Sequence, residues 1–387
     1  MIKNFEMVLP ERLIFGCGQV MRVGELTHEY GRRALLVSYP VGSEPSGALD
    51  RVASYLRQAG VEVVVFDRVQ ANPLTTTVDE GAVLARRERC DVIVGVGGGS
   101  AMDTAKAIAL AATNEGGIWN YMPPGTLIAS GALPIVLVTT TAGTGSHATR
   151  YFVLSNPETQ QKNGCGYPCA YARASIVDPE LTLTLPRGQT SSTGLDVLFH
   201  ALEAFVYKGA NRFTDMLAEE AMRLVVANLK TVYRDGGDIE ARTKMSWADT
   251  AAGIAIDQAG TVLLHAMAHP PGGRVNATHG LAIAACALPW MRFSYSAAPE
   301  RFARIAEFLG EDVHGLPVAT AAARSVDGLE RQLRSVDART TLSDLGVRED
   351  MLEDFTRDDF KFMAGSIENS PRPATFEQVV ALYREAL

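Results

Sequence analysis

Three of the chain's seven histidines, His265, His269 and His279, fall within one short stretch. A fourth, His200, follows Asp196 by four residues in Gly194-Leu-Asp196-Val-Leu-Phe-His200-Ala-Leu-Glu203. Residues i and i+4 of a helix share a face, so Asp196 and His200 can aim at one centre, and His265 and His269 repeat that spacing. Imidazoles joined by a carboxylate suit Zn²⁺ or Fe²⁺. A lone histidine on an apolar face is ordinarily a satisfied core residue. Two i,i+4 pairs in a histidine-poor chain favour a metal instead. Spacing leaves Asp196, His200, His265, His269 and His279 all open as ligands. Gly272-Gly273 are expected to break the second helix ahead of Thr278-His279-Gly280. His28, His147 and His314 stand alone in the sequence.

A second chemistry is written in glycine. Gly95-Val96-Gly97-Gly98-Gly99-Ser100 ends an apolar run and opens a helix expected over Ser100–Ala112. Glycines there let the backbone approach a ligand, and the first N–H groups of the helix point at an anion. Ser100 is the expected N-cap, with Asp103 completing a first turn like a capping box. The run departs from GxGxxG at Ser100 and follows the third strand read from the sequence, not the first. A hydroxyl-rich turn, Thr139-Thr-Thr-Ala-Gly-Thr-Gly-Ser146, follows the next strand. Two such turns at the carboxyl ends of parallel strands favour a nucleotide over two plain connections.

The elements that must position these groups differ between the halves. Ala34–Ser38, Val61–Phe66, Asp91–Val96 and Pro134–Thr139 are short, apolar and rich in β-branched residues. Helical patterns at Gly47–Ala59 and Val78–Cys90 alternate with them, which predicts βαβ units and a parallel sheet. From Pro186 onward such runs nearly vanish, and helical spacing takes over, as in Asp215–Tyr233 and Ala298–Leu309. The loop signals Asp178-Pro179 and Leu185-Pro186-Arg187-Gly188 mark the change. The expected organisation is an α/β domain with a parallel sheet over residues 1–185 and an all-α domain over 186–387, with a ligand cleft between them.

Composition narrows the class. The chain has 387 residues, with 36 Lys and Arg against 44 Asp and Glu, a formal net charge of −8. That balance argues against nucleic-acid or anionic-membrane binding. The opening MIKNFEMVLPERLIF lacks the pattern of a leader peptide. The most apolar window, Asp91–Thr113, is interrupted by Asp103 and Lys106, so no membrane span is expected. Five scattered cysteines, including the CxxxC pair Cys165 and Cys169, fit reduced thiols in a cytoplasm.

Four ordered motifs carry a resemblance. GGGSAMDTAK (Gly97–Lys106), TTTAGTGS (Thr139–Ser146), GLDVLFHALEAF (Gly194–Phe205) and HAMAHPPGG…THG (His265–Gly280) together resemble the iron-containing alcohol dehydrogenases, most nearly the lactaldehyde reductase branch. The likeness runs from Phe15-Gly16 through Ala71-Asn72-Pro73 to Ser370-Pro371-Arg372-Pro373. It implies a Rossmann-like NAD(P)-binding domain and a helical metal-binding domain, in a metal-dependent alcohol dehydrogenase, or aldehyde reductase, acting on a small alcohol or diol. The implied cofactors are NAD or NADP and Fe²⁺, with Zn²⁺ as the alternative ion. It implies Asp196, His200, His265 and His279 as metal ligands. His269 would be a non-ligand beside the nicotinamide that assists proton movement. Gly97, Gly98, Gly99 and Ser100 would hold the pyrophosphate, with Asp103 in the same turn. Thr139, Thr140 and Thr144 would line the adenine and ribose region, with Asn72 and Lys162 nearby. A homodimer or larger homo-oligomer is implied as well.

The chain departs from the family pattern at three places. His147 stands where many relatives have Glu, and Thr278 where Pro is common. Tyr39 ends the first strand read from the sequence, where NAD-preferring relatives often carry Asp for the ribose 2′-OH. Glycerol dehydrogenases, dehydroquinate synthases and maleylacetate reductase share the architecture, but the HAMAHPPGG…THG segment and the full ligand set favour the alcohol dehydrogenases. An inactive nucleotide- or metal-binding protein is the reading from another class. Arg150 and Arg274 are expected in surface ion pairs rather than on an anionic substrate.

Overall fold

Strands that are apolar on both faces need cover on both faces, and the computed structural model supplies it. The structure describes residues 5–9, 12–43, 46–123, 125, 127 and 129–387. The first four residues, on which part of the leader-peptide expectation falls, lie outside these. The strands are β1 (Leu13–Phe15), β2 (Arg33–Val37), β3 (Glu62–Phe66), β4 (Val92–Gly97), β5 (Ile135–Thr139), β6 (Tyr151–Asn156), β7 (Gln161–Gly166) and β8 (Ala174–Val177). Six of them form one parallel sheet in the order β1-β8-β5-β4-β2-β3. Side chains alternate across it, as strand geometry requires. Leu35, Ile93 and Leu137 pack with α3 (Thr75–Arg87) and α4 (Gly99–Thr113) on one face. Leu36, Val94 and Val138 pack with α1 (Val23–Tyr30) and α2 (Ala48–Gln58) on the other.

The strand order also fixes where a ligand goes. The chain steps outward from β2 to β3, then returns to the far side of β2 with β4. The direction therefore reverses between β2 and β4, the point at which open α/β sheets bind ligands. The carboxyl ends there are Val37 and Gly97.

Sequence periodicity missed β1, β8 and the antiparallel β6–β7 hairpin. β1 spans only three residues, so the glycine turn follows the fourth strand, not the third. The hairpin packs Phe152, Leu154 and Cys165 into the core beside α4, and buried polar groups tie it there as well. The ammonium of fully buried Lys106 lies 2.6 Å from Ser146 O, 2.9 Å from Ser146 Oγ, 2.9 Å from Thr149 O and 2.7 Å from Tyr151 O. Asp103 accepts from Ser146 Oγ (2.7 Å) and from Val153 N (2.9 Å). Burial raises the Asp103 pKa, and Lys106 opposes the rise. His147 is buried beside this network. Burial first, then the Lys106 charge, pushes its pKa down to about 3, so the imidazole is neutral.

The expected N-cap is corrected. Gly98 caps α4, and the helix begins at Gly99, one residue before Ser100. A Cβ on Gly99 would lie 2.7 Å from Thr144 Oγ1, so the first helical residue must be glycine. Asp103 makes no capping box, because both its oxygens serve the hairpin.

The helices that follow are α5 (Arg187–Val206), α6 (Arg212–Arg234), α7 (Ile239–Gln258), α8 (Leu263–Arg274), α9 (His279–Ser294), α10 (Pro299–Phe308), α11 (Val318–Ser335), α12 (Leu352–Phe362), α13 (Ala364–Glu368) and α14 (Phe376–Ala386). By contacts the chain divides into an α/β unit, residues 8–186 with 236–246, and a helical unit, residues 187–235 and 247–387 with the described part of 1–7. The division at 186/187 lies one residue from the expected boundary, and the segment 236–246 joins the α/β unit instead. Among the described residues no single helix is long and apolar enough to cross a membrane.

Replacing Lys106 with Met strands three carbonyl oxygens and removes the countercharge to Asp103. Unfolding free energy is expected to fall by about 3 kcal/mol or more. Urea denaturation checks this, and an unchanged midpoint and slope would contradict the bonding scheme.

Candidate metal and nucleotide sites

Asp196, His200 and Glu203 lie at i, i+4 and i+7 of α5 and therefore share one face. α8 contributes His265 and His269 one turn apart, and His279 is the first residue of α9. Gly280 brings the start of α9 against α5, because a Cβ there would lie 2.1 Å from Ser192 O. Three imidazoles consequently surround one oxygen. Asp196 Oδ1 is 3.6 Å from His265 Nε2, 3.8 Å from His200 Nε2 and 4.0 Å from His279 Nε2. Four ligands at about 2.1 Å from a tetrahedral ion sit about 3.4 Å from one another, so the spacing fits a cation of that size. Among the described residues, Asp196, His265 and His279 offer ligand atoms that all lie within 4.8 Å of one another, a group that leaves out His200. The His200 ring stacks on that of His265, with centroids 4.6 Å apart.

Two atoms test the fit directly. Asp196 Oδ1 and His265 Nε2 are buried and make no hydrogen bond among the described residues. Buried polar atoms are ordinarily paired, and a buried carboxylate oxygen without a donor is costly. A cation at the common point removes both deficits. His269, also buried, stands at the margin, its ring centroid 5.8 Å from that of His279.

Glu203 is the functional residue that sequence reading missed. Its Oε1 bonds His265 Nδ1, while its Oε2 accepts from Val262 N (2.7 Å) and His265 N (3.3 Å). The carboxylate thus caps the first turn of α8 and holds the His265 tautomer that aims Nε2 at Asp196. Burial works against a charge on His265. The Glu203 and Asp196 carboxylates outweigh it and raise the imidazole pKa to about 10. An environment that favours positive charge this strongly suits a cation. The i+7 spacing from Asp196 was the available signal. Ser370 Oγ accepts from Leu263 N (2.9 Å) and completes the cap.

The expected break at Gly272-Gly273 does not occur. α8 runs through both glycines to Arg274, and the chain turns at Asn276, whose φ is +54°. Pro271 O accepts from Val275 N (3.1 Å) and Ala277 N (3.2 Å), which closes the last turn. Glycine within a helix is a penalty, not a stop, where tertiary packing is this dense.

In the α/β unit the glycine turn is a backbone cradle. Gly97 has φ +143°, and a Cβ there would lie 2.7 Å from Ala101 Cβ and 2.9 Å from Tyr39 Cε2. A Cβ on Gly98 would meet Thr141 Cγ2 at 3.0 Å. Tyr39, Thr141 and Thr144 therefore ring Gly97–Ser100 at the reversal point of the sheet. Thr141 went unassigned in the sequence reading. Thr140 N donates to Gly97 O (3.0 Å), and Thr139 Oγ1 to Thr141 O (2.8 Å), so these two shape the second turn. Asn72 adopts φ +50°, and its Oδ1 accepts from Lys162 Nζ (2.8 Å).

The remaining expectations resolve simply. Arg274 pairs with Asp358 at 3.0 Å and Asp354 at 3.8 Å. The expectation for Arg150 is corrected among the described residues: it donates to the hydroxyls of Tyr171 and Tyr151, both at 2.9 Å, and these are not ion-pair partners. Cys165 and Cys169 are free thiols, and burial pushes Cys165 up to about 11.

Comparison with known proteins identifies the family. Residues 10–179 match the family described as iron-containing alcohol dehydrogenase, and residues 190–387 match the C-terminal region of the Fe-containing alcohol dehydrogenase family. The chain is 38% identical to 1,3-propanediol dehydrogenase of Klebsiella pneumoniae, with 99% of each covered. It is 36% identical to NAD-dependent methanol dehydrogenase of Bacillus methanolicus, over 98% of this chain and 99% of that one. A solved 1,3-propanediol oxidoreductase superposes with a TM-score of 0.93 at 38% identity, covering 100% of both chains. The chain belongs to the iron-containing alcohol dehydrogenase family. It is an oxidoreductase acting on the CH–OH group of alcohols.

Glu203→Gln keeps the size of the side chain and removes its charge. Metal affinity, measured by competition with a chelator, is expected to fall by roughly tenfold or more. An unchanged affinity would mean that Glu203 does not orient His265.

Proposed function

We propose that the chain oxidises a small primary alcohol or diol, or reduces the matching aldehyde, using NAD or NADP and a divalent metal held by Asp196, His200, His265 and His279. One observation carries this: three imidazole nitrogens lie 3.6 to 4.0 Å from one buried, unbonded carboxylate oxygen. When bound, the cation supplies Lewis-acid polarisation of the alcohol oxygen, and the nicotinamide supplies the hydride acceptor. Asp196 contributes a single negative charge, so a divalent ion keeps net positive charge towards the alcohol. Glu203 holds the ligand tautomer of His265. His269 is not among the three imidazoles that approach Asp196 Oδ1 within 4.0 Å, and it takes the proton that leaves the alcohol, passing it towards solvent.

Gly97, Gly98, Gly99 and Ser100 hold the pyrophosphate against the first turn of α4. Thr139, Thr140 and Thr144 line the adenosine side. Lys162, fixed by Asn72, meets the ribose. Tyr39 brings no carboxylate to the end of β2, so the position neither requires a 2′-OH nor repels a 2′-phosphate. Fe²⁺ is the proposed ion and Zn²⁺ the alternative. The reading extends to a cytoplasmic protein, on the scattered cysteines, and to a homodimer, on the family resemblance.

Metal analysis joined to a panel of alcohols and aldehydes with both cofactors tests the reading. His265→Ala is expected to lose metal and turnover together. His269→Ala is expected to keep the metal and slow turnover by about 10²-fold or more, the usual contribution of a proton-transfer group. Full turnover by metal-free His265→Ala would overturn the ligand assignment. Loss of metal in His269→Ala would exchange the two histidines.

A further inference from the structure

α8 carries both His265 and His269, yet it contains Pro270 and Pro271. Proline has no N–H, so Pro271 cannot make the helical hydrogen bond to the carbonyl of Met267, four residues back. Met267 is fully buried and lies midway between the two histidines. Its carbonyl oxygen is 3.1 Å from the hydroxyl of Tyr383, a fully buried residue of α14. The same hydroxyl lies 2.8 Å from Oδ2 of Asp359, on α12.

Counting protons decides how this chain of contacts is wired. The Tyr383 hydroxyl has one proton, and the Met267 carbonyl can only accept. If that proton goes to the carbonyl, the contact with Asp359 needs a proton on the carboxyl, which then donates to the Tyr383 oxygen. Three observations agree with a neutral carboxyl. Asp359 is 1% exposed. Its Oδ1 makes no hydrogen bond, which an ionised carboxylate in the core could hardly sustain. Burial also pushes its pKa well above the usual range. The charge needed by Arg274, at the end of α8, comes instead from the neighbouring Asp358.

We propose that Tyr383 and Asp359 are positioning residues for the metal-ligand helix: Asp359 donates to Tyr383, and Tyr383 donates to the Met267 carbonyl that Pro271 leaves unpaired. The relay holds the turn between His265 and His269 in register while sparing α8 a rigid run of its own hydrogen bonds. The part of this inference that concerns metal rests on the ligand assignment proposed above.

The test compares the wild type with Tyr383→Phe and Asp359→Asn. Phenylalanine keeps the edge-to-face packing on Phe355, at 5.7 Å between centroids, and loses the hydroxyl that donates to Met267 and accepts from Asp359. Zn²⁺ affinity by chelator competition is expected to fall by roughly tenfold in Tyr383→Phe. It is expected to hold in Asp359→Asn, where the amide N–H replaces the carboxyl O–H. Equal affinity in Tyr383→Phe and wild type would overturn the positioning role. Infrared difference spectra decide the wiring without any metal. The wild type should show a protonated-carboxyl C=O band at neutral pH, absent in Asp359→Asn and shifted in Tyr383→Phe. Absence of that band from the wild type would overturn the relay. A wild type that shows the band but takes up no Zn²⁺ would refute the ligand assignment and, with it, the metal-positioning role, leaving only the hydrogen-bond chain.

Discussion

Asp196 Oδ1 lies in the core of the helical unit with no donor of its own, and the arrangement of the surrounding helices follows from that. An anionic oxygen in such a place must be met by positive charge. α5 supplies one imidazole a turn away, α8 a second, and α9 a third at its first residue. Each approach has a separate cause. His200 shares the face of Asp196 by helical period. His265 is aimed by Glu203, which also caps the helix that carries it. His279 comes close because only a glycine follows it, and that glycine lies against the backbone of α5. The ligand set depends on long-range contacts more than on any one motif.

The α/β unit meets a different constraint. There the backbone itself must come close to a ligand, and bulk is removed wherever side chains would intervene. Gly97, Gly98 and Gly99 are each hemmed in by a neighbour, Ala101 and Tyr39, Thr141, or Thr144. Their position at the reversal point of the sheet follows from the strand order alone. The buried Lys106 and Asp103 tie α4 to the hairpin, and that tie fixes the helix whose first turn faces the glycine turn.

Much of this was legible in the sequence. The apolar strands β2 to β5 and the pairs Asp196/His200 and His265/His269 declare themselves by period. What was not legible is set at a distance. Glu203 was within reach as i+7 from Asp196, but its partners lie on another helix. Ser370 and Tyr383 act on α8 from more than 100 residues away. In the β6–β7 hairpin, β6 buries Phe152 and Leu154, but β7 reads Gln-Lys-Asn-Gly-Cys-Gly and carries no apolar run of its own to announce the pair. Two local rules misled for physical reasons. Gly272-Gly273 remain helical because the packed surroundings outweigh their propensity. Ser100 is not the cap because the helix already begins at Gly99, with Gly98 as its cap.

X-ray absorption on the metal-loaded protein tests the central arrangement most directly. The account predicts a first shell of nitrogen and oxygen only, at about 2.0–2.2 Å, with the outer-shell scattering of three imidazoles. A sulfur shell at about 2.3 Å, or a first shell without imidazole scattering, would contradict it.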